Sequence, residues 1–201
     1  MSKFGAAAVA AFAAMALASP AQAGMLDNFQ IKVGVSGVLP DESGSPIPAE
    51  IDDAWVPSLQ IEYFFNDNIS AELLCCVATH DVTAANGAVD LGSVTHFPPT
   101  VTLKYHWTDF GQFQPYVGAG VNYTAFINSD PPAGLSVDYD SSFGGALQAG
   151  FDYRFDDHWG FNVDVRRIWI STDVTISGAV NATDSVDINP WVVSTGIAYR
   201  F

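Results

Sequence analysis

The residues of this chain that could do chemistry are four histidines, two adjacent cysteines and a set of carboxylates. Nucleophilic catalysis needs a serine, cysteine or threonine beside a base that a third group orients. The available bases are His80, His96, His106 and His158. His80 precedes Asp81, and with His96 it brackets the stretch 80–99, so the two rings could meet across a hairpin. No spacing here demands a triad or a metal site, and no catalytic residue, metal or cofactor is expected. Cys75 and Cys76 point to opposite faces of a strand, where a bridge between neighbours would distort the backbone. They read as two small apolar residues, even in an oxidising compartment.

A second set of charges has a clearer order. Lys32, Glu62, Glu72, Lys104, Asp152, Arg154, Asp164, Arg166 and Arg200 all fall on the polar parity of alternating apolar and polar runs. Such runs of about ten residues, with almost no helical spacing, recur from Phe29 to the end of the chain. Eight strands can be laid out: Phe29–Val38, Val56–Phe65, Ile69–Thr79, Thr100–Trp107, Tyr116–Phe126, Gly144–Phe155, Trp159–Ser171 and Ile188–Phe201. The connections 66–68, 108–115 and 156–158 are short, whereas 39–55, 80–99, 127–143 and 172–187 are long.

The opposite parity is uniformly apolar: Phe29, Ile31, Val33 and Val35; Leu59, Ile61, Tyr63 and Phe65; Val101, Leu103, Tyr105 and Trp107; Leu147, Phe151, Tyr153 and Phe155; Phe161, Val163 and Val165. A soluble ligand-binding barrel would turn these residues inward. Apolar outside and charged inside is the pattern of a barrel wall in lipid. The fold class expected is all-β, an eight-stranded antiparallel transmembrane β-barrel in an up-and-down meander, with short periplasmic turns and four long extracellular loops.

The two ends of the chain agree with that placement. Lys3, the apolar run Phe4–Leu17 and the small residues of Ser19-Pro20-Ala21-Gln22-Ala23 have the form of a secretory leader, expected over residues 1–23 with the barrel domain over 24–201. The run is shorter than the ~20 residues of a membrane-spanning helix, and Pro20 breaks it. Without Lys3, six of the seven basic residues remain against 22 acidic ones, a formal charge of −16 that excludes nucleic acid as a main partner. At the other end, Trp191, Val193, Ile197, Tyr199 and Phe201 share one face of the last strand, and Ser194, Gly196 and Arg200 share the other.

Aromatic residues gather where strands meet the short turns. Tyr63, Tyr105, Trp107, Tyr153, Trp159, Tyr199 and Phe201 form a candidate periplasmic girdle, which anchors and helps assemble the barrel. Trp55, Tyr123, Trp169 and Trp191 are candidates for the opposite belt.

The segments Asn68–Leu74, Thr79–Val82, His96–Thr100, Gln114–Thr124 and Asn189–Trp191, with the terminal Tyr199-Arg200-Phe201, resemble the OmpW family of small outer-membrane barrels along essentially the whole mature chain. The resemblance implies an eight-stranded barrel with a narrow, rather hydrophobic lumen that admits small apolar molecules and releases them sideways into the membrane. It also implies a Gram-negative outer membrane with its lipid and lipopolysaccharide as surroundings, and assembly machinery that engages the C-terminal strand.

The residues carry part of that implication on their own. Eight strands leave an interior that side chains nearly fill, so a wide aqueous pore is excluded. Glu62 and Glu72 flank the 66–68 turn, and Lys104, Arg154 and Arg200 approach the same level, so the inward charges are expected to pair as a plug. Leu74, Cys76, Phe126, Ile168, Ile170 and Val192 are expected at the loop mouth, where a small hydrophobic ligand could touch them. Pro57, Pro98, Pro99 and Pro190 lie near the loop ends of strands, and each removes a ladder hydrogen bond.

The acidic loops, with Asp41, Glu42, Glu50, Asp52, Asp53, Asp130, Asp138, Asp140, Asp173, Asp184 and Asp187, read as solvated. Shared divalent cations with lipopolysaccharide phosphates are the sharper alternative. Arg167, the basic residue on the outward parity, is placed to meet a lipid phosphate. The functional expectation is a narrow channel or binding site for small hydrophobic molecules; the alternative is a structural or receptor barrel without transport.

Overall fold

A computed structural model describes residues 26–41, 49–84, 89–131, 134–178 and 182–201. The expected leader lies outside the described residues, as does Glu42 of the acidic loop set. In chain order the strands are β1 (Phe29–Leu39), β2 (Ala49–Ile51), β3 (Ala54–Phe64), β4 (Ile69–Cys76), β5 (Ala78–Ala84), β6 (Val89–Phe97) and β7 (Thr100–His106). They continue with β8 (Phe113–Asp130), β9 (Leu135–Tyr139), β10 (Ser142–Arg154), β11 (Trp159–Ile168), β12 (Ser171–Gly178), β13 (Ala182–Asp187) and β14 (Trp191–Arg200).

Eight of these close into a ring in the order β1, β3, β4, β7, β8, β10, β11, β14 and back to β1, every neighbour antiparallel. Closure gives every wall strand two partners, which is the condition for crossing a hydrocarbon layer without unpaired backbone. The inside and outside follow the period-2 alternation. Val33, Val35, Leu103, Val121, Leu147 and Ile197 are exposed on the outer face, while Lys32, Glu62, Glu72, Lys104 and Arg166 are buried on the inner one. Water would make that surface insoluble; lipid makes it the stable one.

Close approach between strands needs glycine at one inward pair. Gly34 faces Gly196 across the β1–β14 ladder, and a Cβ on Gly34 would stand 2.0 Å from the Thr195 carbonyl oxygen. The wall can coil tightly there only because both residues lack a side chain.

Two of the short turns share one device. Asn66 Oδ1 accepts hydrogen bonds from the amides of Asn68 and Ile69, each 2.9 Å, and Asp156 Oδ1 accepts from His158 and Trp159 at 2.8 and 2.7 Å. These are side-chain mimics of a backbone turn. The Trp159 and His158 amides hold the Asp156 carboxyl below the usual carboxylate range.

The described residues of the long connections differ from expectation, because they carry strands of their own. β5 and β6 pair as a hairpin that prolongs the wall beyond β4 and β7; β2 adds to β5, and β6 pairs with the extended end of β8. β9, β12 and β13 form a separate three-stranded sheet. Above the membrane the outer face turns polar: His80 and Val82 are buried while Thr79 and Asp81, alternating with them, are exposed. The strand expected as Ile69–Thr79 is interrupted at Val77, β8 is longer at both ends than Tyr116–Phe126, and β14 starts at Trp191, after Asn189 at φ +32° and Pro190.

Candidate functional site: the lumen and its extracellular mouth

The lower lumen is filled by one ion network, assembled from six strands. Lys32 Nζ lies 2.7 Å from Glu62, 2.8 Å from Glu72 and 3.5 Å from Asp152. Lys104 Nζ lies 2.9 Å from each glutamate and 3.6 Å above the centre of the Tyr116 ring. Arg166 bridges Glu72 and Asp164. Every one of these charges is buried, so each needs its partners: a buried ion left alone costs several kcal/mol, on the order of 3–5 when one member of a pair is removed.

Neutral side chains knit the charges together. Gln148 Nε2 donates to Glu72 at 3.0 Å and to Asp164 at 3.2 Å, while its Oε1 accepts from Thr102 at 2.8 Å. Asn162 donates to the Tyr116 hydroxyl at 2.8 Å and to Asp152 at 2.9 Å. Sequence parity alone does not single out Gln148, Thr102, Asn162 or Tyr116, although each carries inward parity; which of them meet depends on the stagger between strands.

Arg154 and Arg200 do not join this network, contrary to expectation. The Arg154 guanidinium donates to the Asp157 carbonyl in the periplasmic turn at 2.7 Å, and Arg200 lies 4.0 Å over the Phe64 ring. Both sit at the last inward position of a strand, where a long side chain reaches water instead of remaining in the lumen.

His106 also belongs to the lumen, and its surroundings superficially resemble a catalytic triad. Its Nε2 is 2.9 Å from both the Ser70 hydroxyl and Glu62, and Ser70 donates to the same carboxylate. The roles are wrong for nucleophile activation, because serine and acid compete for one ring nitrogen and Nδ1 has no partner among the described residues. His158 is exposed in the turn 155–158. Cys75 and Cys76 are both free, Cys76 buried and Cys75 half-buried.

Above the network the lumen turns apolar. Ile168, Ile170 and Val192 pack in one cluster with Val38, Ala54, Ala78 and Ala146, against which Val56 and Ile188 lean. Leu74 and Cys76 are buried too, while Phe126 is half-buried and stacks on Tyr139 at 5.2 Å. Phe126 and Ile170 line a cavity of about 20 Å³ with Val94, Ile188, Pro190, His80, His96 and Thr124. That is room for roughly one water molecule, so a larger ligand enters only by parting the side chains around it.

The wall beside this chamber has a break. β4 pairs with β7 as far as Leu74 and Thr100, and β5 with β6 from Ala78 and His96 onward. Cys75, Cys76 and Val77 therefore face Phe97, Pro98 and Pro99 with no ladder pairing between them. Two adjacent prolines supply no amide proton, which explains the interruption. The Pro98 and Pro99 carbonyls turn instead to Asn122, and Pro99 also accepts from the Tyr123 amide at 3.1 Å.

At the periplasmic rim, aromatic rings stand edge to face around the wall. Tyr199 meets Trp159 at 4.8 Å and Phe201 at 5.0 Å; Tyr63 meets Phe65 at 5.2 Å, Tyr105 meets Trp107 at 5.2 Å and Tyr153 meets Phe155 at 6.1 Å. At the other rim Trp55, Tyr123, Trp169 and Trp191 are exposed. Arg167 lies 5.0 Å over the Trp191 ring and pairs with Asp41 at 2.7 Å.

A closed, outward-apolar ring of eight strands with a filled lower lumen defines a small outer-membrane β-barrel. The chain belongs to the OmpW family, which it matches over residues 25–201. It is 40% identical to the uncharacterised outer-membrane protein y4mB of Sinorhizobium fredii, over 88% of this chain and 81% of that one. It is 33% identical to outer membrane protein W of Vibrio cholerae, over 87% and 88% of the two chains. The crystal structure of OprG from Pseudomonas aeruginosa superposes with a TM-score of 0.77 at 32% identity, covering 86% of this chain and 95% of that one.

Proposed function

We propose that this barrel gives small hydrophobic molecules a short path from the extracellular mouth into the membrane. The observation that carries the reading is the stacking of two layers: an apolar chamber directly above a sealed ion network, with a break in the wall at the chamber's level. An apolar ligand that enters from the loops gains by burial in the chamber, at about 25 cal/mol per Å² of apolar surface. Going straight down would require it to separate buried ion pairs, which costs several kcal/mol each. Leaving sideways, where only packing joins the strands, is the cheaper exit. A relative from Pseudomonas aeruginosa, 28% identical over 85% of this chain and 87% of its own, is named a dibenzothiophene metabolism operon protein, which fits an apolar cargo.

Uptake of a hydrophobic fluorescent tracer by cells with and without the protein tests the reading. The proline break gives a sharper arm. Changing Pro98→Thr together with Pro99→Val restores both missing amides, one of which can point across to Cys75–Val77 because successive amides of a strand point to opposite sides. The tightened ladder should cut protein-dependent uptake by about tenfold while raising thermal stability. Equal uptake with and without the protein would remove the transport reading and leave a structural or receptor barrel.

The aromatic rim has a separate role in this proposal, anchoring and assembly. Deleting Phe201 removes one edge-to-face partner of Tyr199 and the backbone amide that donates to the Phe29 carbonyl at 3.1 Å. The amount of heat-modifiable barrel recovered from outer membranes should fall several-fold. Uptake per inserted barrel should stay unchanged.

A further inference from the structure

We infer that the mouth cavity selects apolar molecules that carry a hydroxyl group, such as phenols and alcohols, and that His80 Nε2 accepts a hydrogen bond from that hydroxyl. The inference deepens the passage reading above and rests on it.

His80 is 3% exposed, in a cavity whose other walls are mostly hydrocarbon. Its Nδ1 lies 2.6 Å from the Asp52 backbone carbonyl, which can only accept, so Nδ1 carries the hydrogen. Asp52 is itself held, its amide donating to the Asp81 carbonyl at 3.2 Å, so this tautomer is built into the β2–β3 connection. A neutral ring with its proton on Nδ1 presents a lone pair at Nε2. That nitrogen is buried and has no partner among the described residues.

The neighbours do not satisfy it. His96 stacks on His80 with ring centres 5.0 Å apart and planes at 15°, a geometry in which neither ring donates in the plane of the other. Thr124 spends its hydroxyl proton on Asn122 Oδ1 at 2.7 Å, so it has none to offer His80 Nε2. A buried acceptor without a partner, in a chamber lined mostly by hydrocarbon, is costly unless a donor arrives, and the matching donor is a hydroxyl. An ether of the same shape brings no proton, and an ionised carboxylate brings further lone pairs. A site built for a hydroxyl rejects its capped analogue strongly, because its own buried polar atom is then left unpaired.

The test compares 2-naphthol, 2-methoxynaphthalene, naphthalene and 2-naphthoate by equilibrium dialysis against the full barrel in phospholipid nanodiscs, with empty nanodiscs of the same lipid to subtract partitioning. The native barrel should bind 2-naphthol about tenfold or more tightly than 2-methoxynaphthalene or 2-naphthoate. His80→Phe, which keeps a ring to stack on His96, should bring 2-naphthol and 2-methoxynaphthalene to within about threefold of each other. Nitrogen NMR of the histidine rings in the native barrel needs no variant: His80 Nε2 should shift on adding 2-naphthol and stay unmoved with 2-methoxynaphthalene. Equal binding of naphthol and its ether by the native barrel, a preference that survives His80→Phe, or tighter binding of 2-naphthoate would overturn the inference. If uptake of all the neutral probes depends on the protein without preference, passage stands and hydroxyl selection fails; if none depends on it, both fail.

Discussion

Replacing Glu72 by leucine should cost the barrel about 3–5 kcal/mol, the largest stability loss expected of any single substitution here. Glu72 touches Lys32, Lys104 and Arg166 at once, and removing it takes one buried partner from each, leaving Glu62, Asp152 and Asp164 to hold them. Urea unfolding of the barrel in lipid vesicles, followed by tryptophan fluorescence, reads the loss. The surface pair supplies the contrast: Arg167 and Asp41 are 20% and 58% exposed, and Asp41→Ala should change stability by less than about 1 kcal/mol. Glu72→Leu and Lys104→Met together should cost less than the sum of the two single losses, since the bridge between them is broken in both. A Glu72→Leu effect no larger than that of Asp41→Ala would mean that water reaches the network and screens it.

The same contrast between lumen and surface sets how far the sequence could be read. Val33, Leu103 and Leu147 declare the lipid face because hydrocarbon requires an apolar side chain at every second position, and the eight wall strands follow. Beyond the membrane that rule lapses. In β5 the outer positions Thr79 and Asp81 are polar and the inner ones mixed, so an alternation tuned to lipid reads the stretch as loop although it pairs as a hairpin. Within the lumen, parity marks Glu62, Ser70 and His106 as inward, but not as mutual neighbours. Their meeting depends on the stagger that puts Ser70 opposite Lys104 and Glu62 opposite Glu72, and stagger is a property of the closed ring. Arg154 and Arg200 mark the other boundary: inward parity holds a side chain in the lumen only while the wall continues past it.

Placing aspartate in the apolar layer should separate folding from passage, and the two candidate positions should behave differently. Val192 pairs directly with Arg166 across the β14–β11 ladder, where cross-strand Cβ atoms stand about 5 Å apart. Arg166 has two nitrogens, Nε and Nη1, without hydrogen-bond partners among the described residues. Val192→Asp can therefore pair with a cation already paid for by the fold, and its thermal stability should stay within about 1 kcal/mol of the native barrel. Ile170 packs in the apolar cluster with Val38, Ala78 and Val192 and lines the apolar cavity, so Ile170→Asp should lose several kcal/mol, on the order of an unpaired buried carboxylate. Uptake should fall about tenfold or more in both, because an apolar ligand must then pass a charge that keeps water around it. Heat-modifiability of the extracted protein separates a folded, closed mouth from a failed barrel. Native uptake by correctly folded Val192→Asp would exclude the apolar layer from the ligand's path and direct attention to the outer wall.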